Sequence, residues 1–317
     1  MKLLYPSNIY QESWLLLSIT ILLGLYPIKF FTSTLPNYIH VFVLIMLYWF
    51  GYGVIIRHYV AALFYKFRDI NHTFLIRYLR IQINFFLCPM IIISSMRQCL
   101  KLKEVFKQLD IVDKNVKFLN IEIDHTLCMK NDIVRITTTI FIVLMCNLID
   151  YYGLLDNDSD FQYLLMWILD RLPDFVCAIV ICSFTVFMNK IEIRFRQINT
   201  ILNVITKGKH FISISEMSDM NNVSRYKLLK WLRFELRRTV SLLIEAHTFR
   251  FNLLTVIYVA YICLHMCIFY NHTLDSFYLI DIALSFIWGI VDLIKLVYII
   301  YSYRSLTIEL KMNKNMH

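Results

Sequence analysis

Three stretches of otherwise apolar chain carry side chains able to hold charge or exchange hydrogen bonds. In "LIDIALSFIWGIVDLIKLVYII", Asp281, Trp288, Asp292 and Lys295 follow at spacings of seven, four and three, so they share one face of a helix. Asp292 and Lys295, at i, i+3, can form an ion pair. The same stripe can instead face a ligand cavity with Asp281 and Trp288, and both readings stay open. In "MWILDRLPDF", Asp170 and Asp174 lie at i, i+4 on one face with Arg171 beside them. Two carboxylates on a face suit acid–base work, but no nucleophile or metal partner accompanies them. They read as an interhelical ion pair or as the wall of a polar ligand cavity. In "YVAYICLH", Tyr258, Tyr261 and His265 follow i, i+3, i+7 and make an aromatic stripe with hydrogen-bonding tips. Such a stripe serves packing, or a pocket for a small sugar-like or plant-derived molecule.

These residues stand in a chain of 317 residues that is 58% hydrophobic and only 17% charged. Its mean hydropathy is +0.58. A soluble chain of this length needs more polar surface. The composition places it among polytopic membrane proteins, with an all-α helix bundle as fold class. Within such a bundle a charge costs about 2.5–3.5 kcal/mol on insertion scales, so each one asks for a reason. The net charge of +9 is expected in cytoplasmic loops rather than at a nucleic-acid interface. The eight cysteines form no CxxC pair, and no His/Cys cluster has ligand spacing. Neither a disulfide framework, a metal nor another cofactor is expected. G-x-S-x-G, P-loop, G-x-G-x-x-G and H-E-x-x-H motifs are absent, so no enzyme is expected. "GYG" at Gly51–Gly53 reads as close helix packing.

Six apolar runs meet or approach the ~20 residues a span needs: Ile39–Ile56, Phe74–Met96, Ile136–Leu155, Phe161–Met188, Phe251–Tyr270 and Phe277–Tyr301. A shorter run, Trp14–Ile28, is expected as an interfacial or re-entrant helix, cut off by Pro27 and Lys29. The loop from Arg97 to Arg135 holds eight Lys/Arg and the segment from Lys190 to Arg238 eleven, whereas 156–160 and 271–276 hold none. The positive-inside rule then puts the N-terminus and the basic segments in the cytoplasm. The sequons at Asn71, Asn157 and Asn271 fall outside, as glycosylation requires, and the one at Asn222 falls inside. Arg57, Lys66, Arg68, Arg77 and Arg80 crowd the first outer connection and oppose this orientation. From about Ser224 to Tyr270 the chain has no Pro or Gly, and Leu228, Leu229, Leu232, Leu236 and Val240 recur at helical spacing. One continuous fifth helix of about 70 Å is expected there, projecting into the cytoplasm beside an extended fourth helix. The chain reads as one domain, 1–317, with a helical extension over 190–246.

The order and content of these segments resemble the insect gustatory receptor family. "LLLSITILLGLYPIKFF" is similar to the family's opening helix with its G-L-x-P element. "VFKQLDIVDKNVKFLNIEI" is similar to the loop after its second span, and "LPDFVCAIVICSFTVFMNKIEIRFRQINTIL" to its fourth span running into an amphipathic helix. "LRFELRRTVSLLIEAHTFRFNLLTVIYVAYICLHMCIFYN" is similar to its approach to the fifth span. The resemblance implies a chemosensory receptor of the plasma membrane: a tastant-gated cation channel, assembled as a homo- or hetero-tetramer. The family's last span lines the pore and carries Thr-Tyr, hydrophobics and Gln-Phe. That signature is missing, and the chain stops about one span early. The expectation is therefore six spans and no conduction by the chain as it stands. A small secondary transporter is the alternative, kept open by Pro89 and Pro173, although broken helices and inverted repeats are not evident. A G-protein-coupled receptor would need an outside N-terminus, which the loop charges oppose.

Overall fold

The computed structural model describes residues 6–26, 34–66, 72–119, 123–153, 161–208, 216–274 and 286–301. Among them all regular structure is helical, with no strand. The elements are α1 (Ile9–Glu12), α2 (Trp14–Leu22), α3 (Thr34–Lys66), α4 (His72–Phe118), α5 (His125–Gly153), α6 (Phe161–Gly208) and α7 (Glu216–Leu274). A further helical stretch, 286–301, is called α8. Asn71, Asn157, Asp281, Pro27, Lys29 and the tail after Tyr301 lie outside the described residues.

Local chemistry explains where several helices begin and end. Asn8 Oδ1 accepts a hydrogen bond from Gln11 N at 3.0 Å, and Gln11 Oε1 accepts one from Ser7 N at 2.9 Å. The two exchanges make a reciprocal N-terminal cap for α1. Helix α2 stops at Leu22, well before the expected Ile28. Gly24 takes φ +70, Gly24 N donates to Ile21 O at 3.0 Å, and Leu25 N donates to Thr20 O at 2.8 Å. This is the paired-bond ending that a left-handed glycine permits. At the start of α5, Asp124 Oδ1 accepts from Thr126 N (3.0 Å) and Leu127 N (2.9 Å).

Among the described residues, five helices contain stretches long and apolar enough to cross a membrane: Leu35–Val54, Ile81–Phe118, His125–Ile149, Ile168–Asn203 and Ser224–Cys267. Their outward faces are apolar too. On α3, Leu35, Phe42, Leu47 and Phe50 are all more than half exposed. Large exposed apolar faces on this scale mark a membrane-embedded protein. The sixth expected span, Phe277–Tyr301, is described only over α8.

The helices are longer than the runs that announced them. The basic segment 97–135, expected as a loop, is mostly helix: α4 continues to Phe118 through Pro89, and α5 begins at His125. Helix α7 has 59 residues, roughly 88 Å at the standard rise, and starts before the expected Ser224. It also runs past Tyr270 to Leu274, so Asn271 lies in its final turn rather than in a loop.

The chain forms two compact units. Unit 1 comprises Met1–Ile19, Gln98–Ile136 and Cys182–His247. Its core is aliphatic and aromatic: Leu102, Val105, Phe106 and Leu109 of α4, Phe184 and Phe187 of α6, and Leu229, Leu232, Leu236 and Leu243 of α7. Tyr10 stacks on Phe106 at 5.3 Å between ring centroids, and Phe106 meets Phe187 edge-on at 4.9 Å. A buried charge cluster sits in the same unit. Glu12 pairs with Lys190, with His125 Nδ1 (2.7 Å) and with Arg194 (3.7 Å). Lys190 also pairs with Asp132, and Arg194 grips Asp113 through Nε (2.5 Å) and Nη2 (2.6 Å). Burial opposes ionisation of Glu12. The hydrogen bond with His125 and the charges of Lys190 and Arg194 outweigh it and pull its pKa down to about 2.

Unit 2 comprises Thr20–Arg97, Thr137–Ile181 and Thr248–His317. Gly24 belongs to it: a Cβ there would stand 2.8 Å from Leu44 Cδ1 and 3.5 Å from Ile92 Cγ2. Of the two glycines in "GYG", Gly51 lies close to Leu169, whose Cδ1 is 3.4 Å from an added Cβ. Gly53 has nothing within 4 Å, so the packing expected for the pair holds for one glycine only.

Candidate functional site

Unit 2 gathers the polar residues of α3, α4, α6, α7 and α8 into one buried network. Lys295 is its centre. Its Nζ lies 3.1 Å from Asp292 Oδ1 on its own helix and 3.5 Å from Asp174 Oδ1 on α6. The pair expected within α8 is thus joined to the carboxylate pair of α6. Asp292 and Asp174 are 1% and 5% exposed, deep enough that each carboxylate requires a charged or hydrogen-bonding neighbour. On its other side Asp292 Oδ2 lies 3.7 Å from His265 Nε2 of α7. A Cβ added at Gly289 would stand 3.7 Å from the Cβ of His265, an ordinary contact distance, so α7 and α8 approach each other here.

Arg171 supplies the second cationic side chain. Its Nη1 lies 3.8 Å from Asp174 Oδ2 and its Nε 3.9 Å from Asp170 Oδ2. The Arg171 guanidinium rests 4.9 Å from the Trp288 ring centroid, and Lys295 Nζ lies 5.8 Å from the same ring and 5.2 Å from that of Tyr258. The negative faces of the two aromatics supplement the carboxylates in stabilising both cations.

A neutral arm extends from this ionic centre. Tyr52 OH donates to Asp170 Oδ1 at 3.1 Å. Asn84 Nδ2 donates to the Asp170 carbonyl at 3.5 Å, and Tyr261 OH donates to Asn84 Oδ1 at 2.5 Å. Tyr48 OH donates to the Asn84 carbonyl at 2.8 Å, and the Tyr48 and Tyr52 rings stack at 5.2 Å. Asn84 occupies the junction of α3, α6 and α7 because a carboxamide both donates and accepts.

Of the residues singled out in the sequence, Asp170, Asp174, Tyr258, Tyr261, His265, Trp288, Asp292 and Lys295 all belong to this network. Tyr48, Tyr52 and Asn84 were missed. Their signal was present: Asn84 is an amide inside an apolar run, two residues after Gln82, and Tyr48 and Tyr52 share a helix face at i, i+4. Three carboxylates, two cations and a histidine, set among tyrosines and a tryptophan, offer directional hydrogen bonds and aromatic faces. They present no nucleophile–base pair. Among the described residues no group of three or more His, Cys, Asp or Glu is placed to hold a metal ion.

No protein-family model, curated protein or solved structure matches the chain.

Proposed function

We propose that the protein is a chemosensory receptor subunit of the gustatory type, which recognises a small tastant through the polar network of unit 2. One observation carries the reading. Ten buried side chains from five apolar helices — Tyr48, Tyr52, Asn84, Arg171, Asp174, Tyr258, Tyr261, His265, Trp288 and Asp292 — converge with Lys295 and Asp170 on one connected set of contacts. Ionisable groups inside membrane helices are expensive, and by default they mark a functional site. Aromatic faces and paired polar groups suit a compact hydroxylated or cationic ligand. A ligand that intercepts Lys295 or Arg171 would redistribute the ion pairs among α6, α7 and α8, which is the kind of differential contact a gating event needs.

In this reading the subunit sits in the plasma membrane with a cytoplasmic N-terminus, crosses it six times, and assembles with like subunits as a tetramer of the cation-channel type. The sequence features that support it are the basic segments 97–135 and 190–238, the sequons at Asn157 and Asn271, and the resemblance to the gustatory receptors. The orientation is tested by an epitope at the N-terminus and by glycan mapping in intact cells. The reading expects the epitope to be stained only after permeabilisation, and glycans at Asn157 or Asn271 and never at Asn222. Surface staining without permeabilisation, or a glycan on Asn222, contradicts it. Ligand accumulation in vesicles would favour a transporter instead.

A further inference from the structure

Helix α7 carries a second feature, in unit 1 and independent of the proposed sensory role. Between Tyr226 and Arg238 two charged rows run along the helix. Lys227, Trp231, Phe234 and Arg238 recur at i, i+4, i+7, i+11 and are exposed. Tyr226, Lys230, Arg233 and Arg237 recur at the same spacing on the adjoining flank. This flank differs from an ordinary solvated face in one respect. Arg233 Nε and Nη2 are buried and meet no hydrogen-bond partner. Arg237, one turn on, adds like charge that repels it. Lys230 adds a third cation one turn before, with its Nζ 5.5 Å from the Tyr226 ring centroid. The only carboxylate in this part of the helix, Glu235, projects from the opposite side.

A half-buried guanidinium whose Nε and Nη2 are sequestered without an acceptor, beside like charge, is costly. Surface lysines escape such a cost by moving into water; the sequestered Nε and Nη2 of Arg233 do not. An anion presenting several acceptor oxygens removes it. Guanidinium forks match phosphate oxygens two at a time, and side chains at i, i+4 are neighbours, about 5–6 Å apart at Cβ, so two long guanidinium arms can close on one compact anion. We propose that Arg233 and Arg237, assisted by Lys230, form a binding site for a compact anion with adjacent phosphate groups. The phosphate is carried either by a soluble polyphosphate or by a lipid headgroup, and the two arms of the test below separate these sources.

The purified full chain in uncharged detergent is titrated with radiolabelled inorganic pyrophosphate at fixed ionic strength. Saturable binding is expected, weakened about tenfold or more by Arg233→Gln and by Arg237→Gln. Lys227→Gln and Arg238→Gln, on the exposed row, are expected to leave it within about twofold. Thermal unfolding without anion guards against misfolding: Arg233→Gln should keep or raise Tm, because it removes a buried orphan donor. A parallel arm reconstitutes the chain in phosphatidylcholine vesicles with and without a phosphatidylinositol bisphosphate. Stabilisation there that depends on Arg233, without pyrophosphate binding, supports the site and assigns its phosphate to a lipid headgroup. The proposal is overturned by no saturable binding in either arm, by equal losses in all four variants, or by a lowered Tm of unliganded Arg233→Gln.

Discussion

Gly24 shows how much one residue can decide. Its positive φ suits a residue without a side chain, and an added Cβ would collide with Leu44. Gly24→Ala is expected to lower stability by about 1–3 kcal/mol, read as a lower Tm of the solubilised chain, with Leu22→Ala on the exposed side of α2 as a near-neutral control. Glu12 decides more through charge. Its pKa of about 2 lies below the ordinary 4.5, so its ionised form stabilises the fold fully above pH ~4.5 and loses that effect as pH falls towards 2. Melting curves of the solubilised chain between pH 6 and 3 should therefore show falling Tm with acidification. In Glu12→Gln the fall should be shallower and the pH 6 value lower, because Lys190 and Arg194 lose a buried counter-charge. An unchanged pH slope would remove Glu12 from this role. Neither residue announced itself in sequence. Gly24 could be read as a helix end only once its φ was known, and Glu12 is one acid in a polar N-terminal stretch whose partners are 113 and 178 residues away.

At the scale of elements, periodicity was the reliable guide. The row Leu229, Leu232, Leu236 and Val240 is buried in α7 as the spacing required, whereas Leu228, at the margin of that row, is only half-buried. Leu232→Ala should cost about 2–5 kcal/mol and Leu228→Ala roughly 1 kcal/mol or less, measured by denaturant or thermal unfolding in detergent. Equal effects would mean that the helix is rotated from the orientation described here. Helix ends were less legible. Apolar runs mark where a helix meets lipid or core, but not how far its hydrogen-bonding continues into polar sequence. That is why 97–135 read as a loop, although "KLKEVFKQLDIVDKNV" has apolar residues at helical spacing and no breaker. The polar stripes of α6, α7 and α8 were each visible as local patterns. Their convergence was not, because the Lys295–Asp174 link spans 121 residues and depends on tertiary packing alone.

For the whole molecule, composition alone placed the chain in a membrane, and the long apolar helices agree with it. The central claim is that the network around Lys295, Trp288 and Tyr261 reads a small molecule. Its most direct measurement is thermal unfolding of the purified full chain against a panel of sugars (sucrose, trehalose, fructose) and alkaloids (quinine, caffeine). Because it reports binding, it does not depend on conduction. At 100 times its dissociation constant a ligand stabilises the chain by about 2.7 kcal/mol, enough to shift Tm by a few degrees. The account predicts such a shift for at least one compound, with an apparent affinity weakened about tenfold or more in Trp288→Ala and Tyr261→Ala and unchanged in the outward-facing Leu293→Ala. No shift with any compound, or a shift that all three variants retain equally, would contradict it.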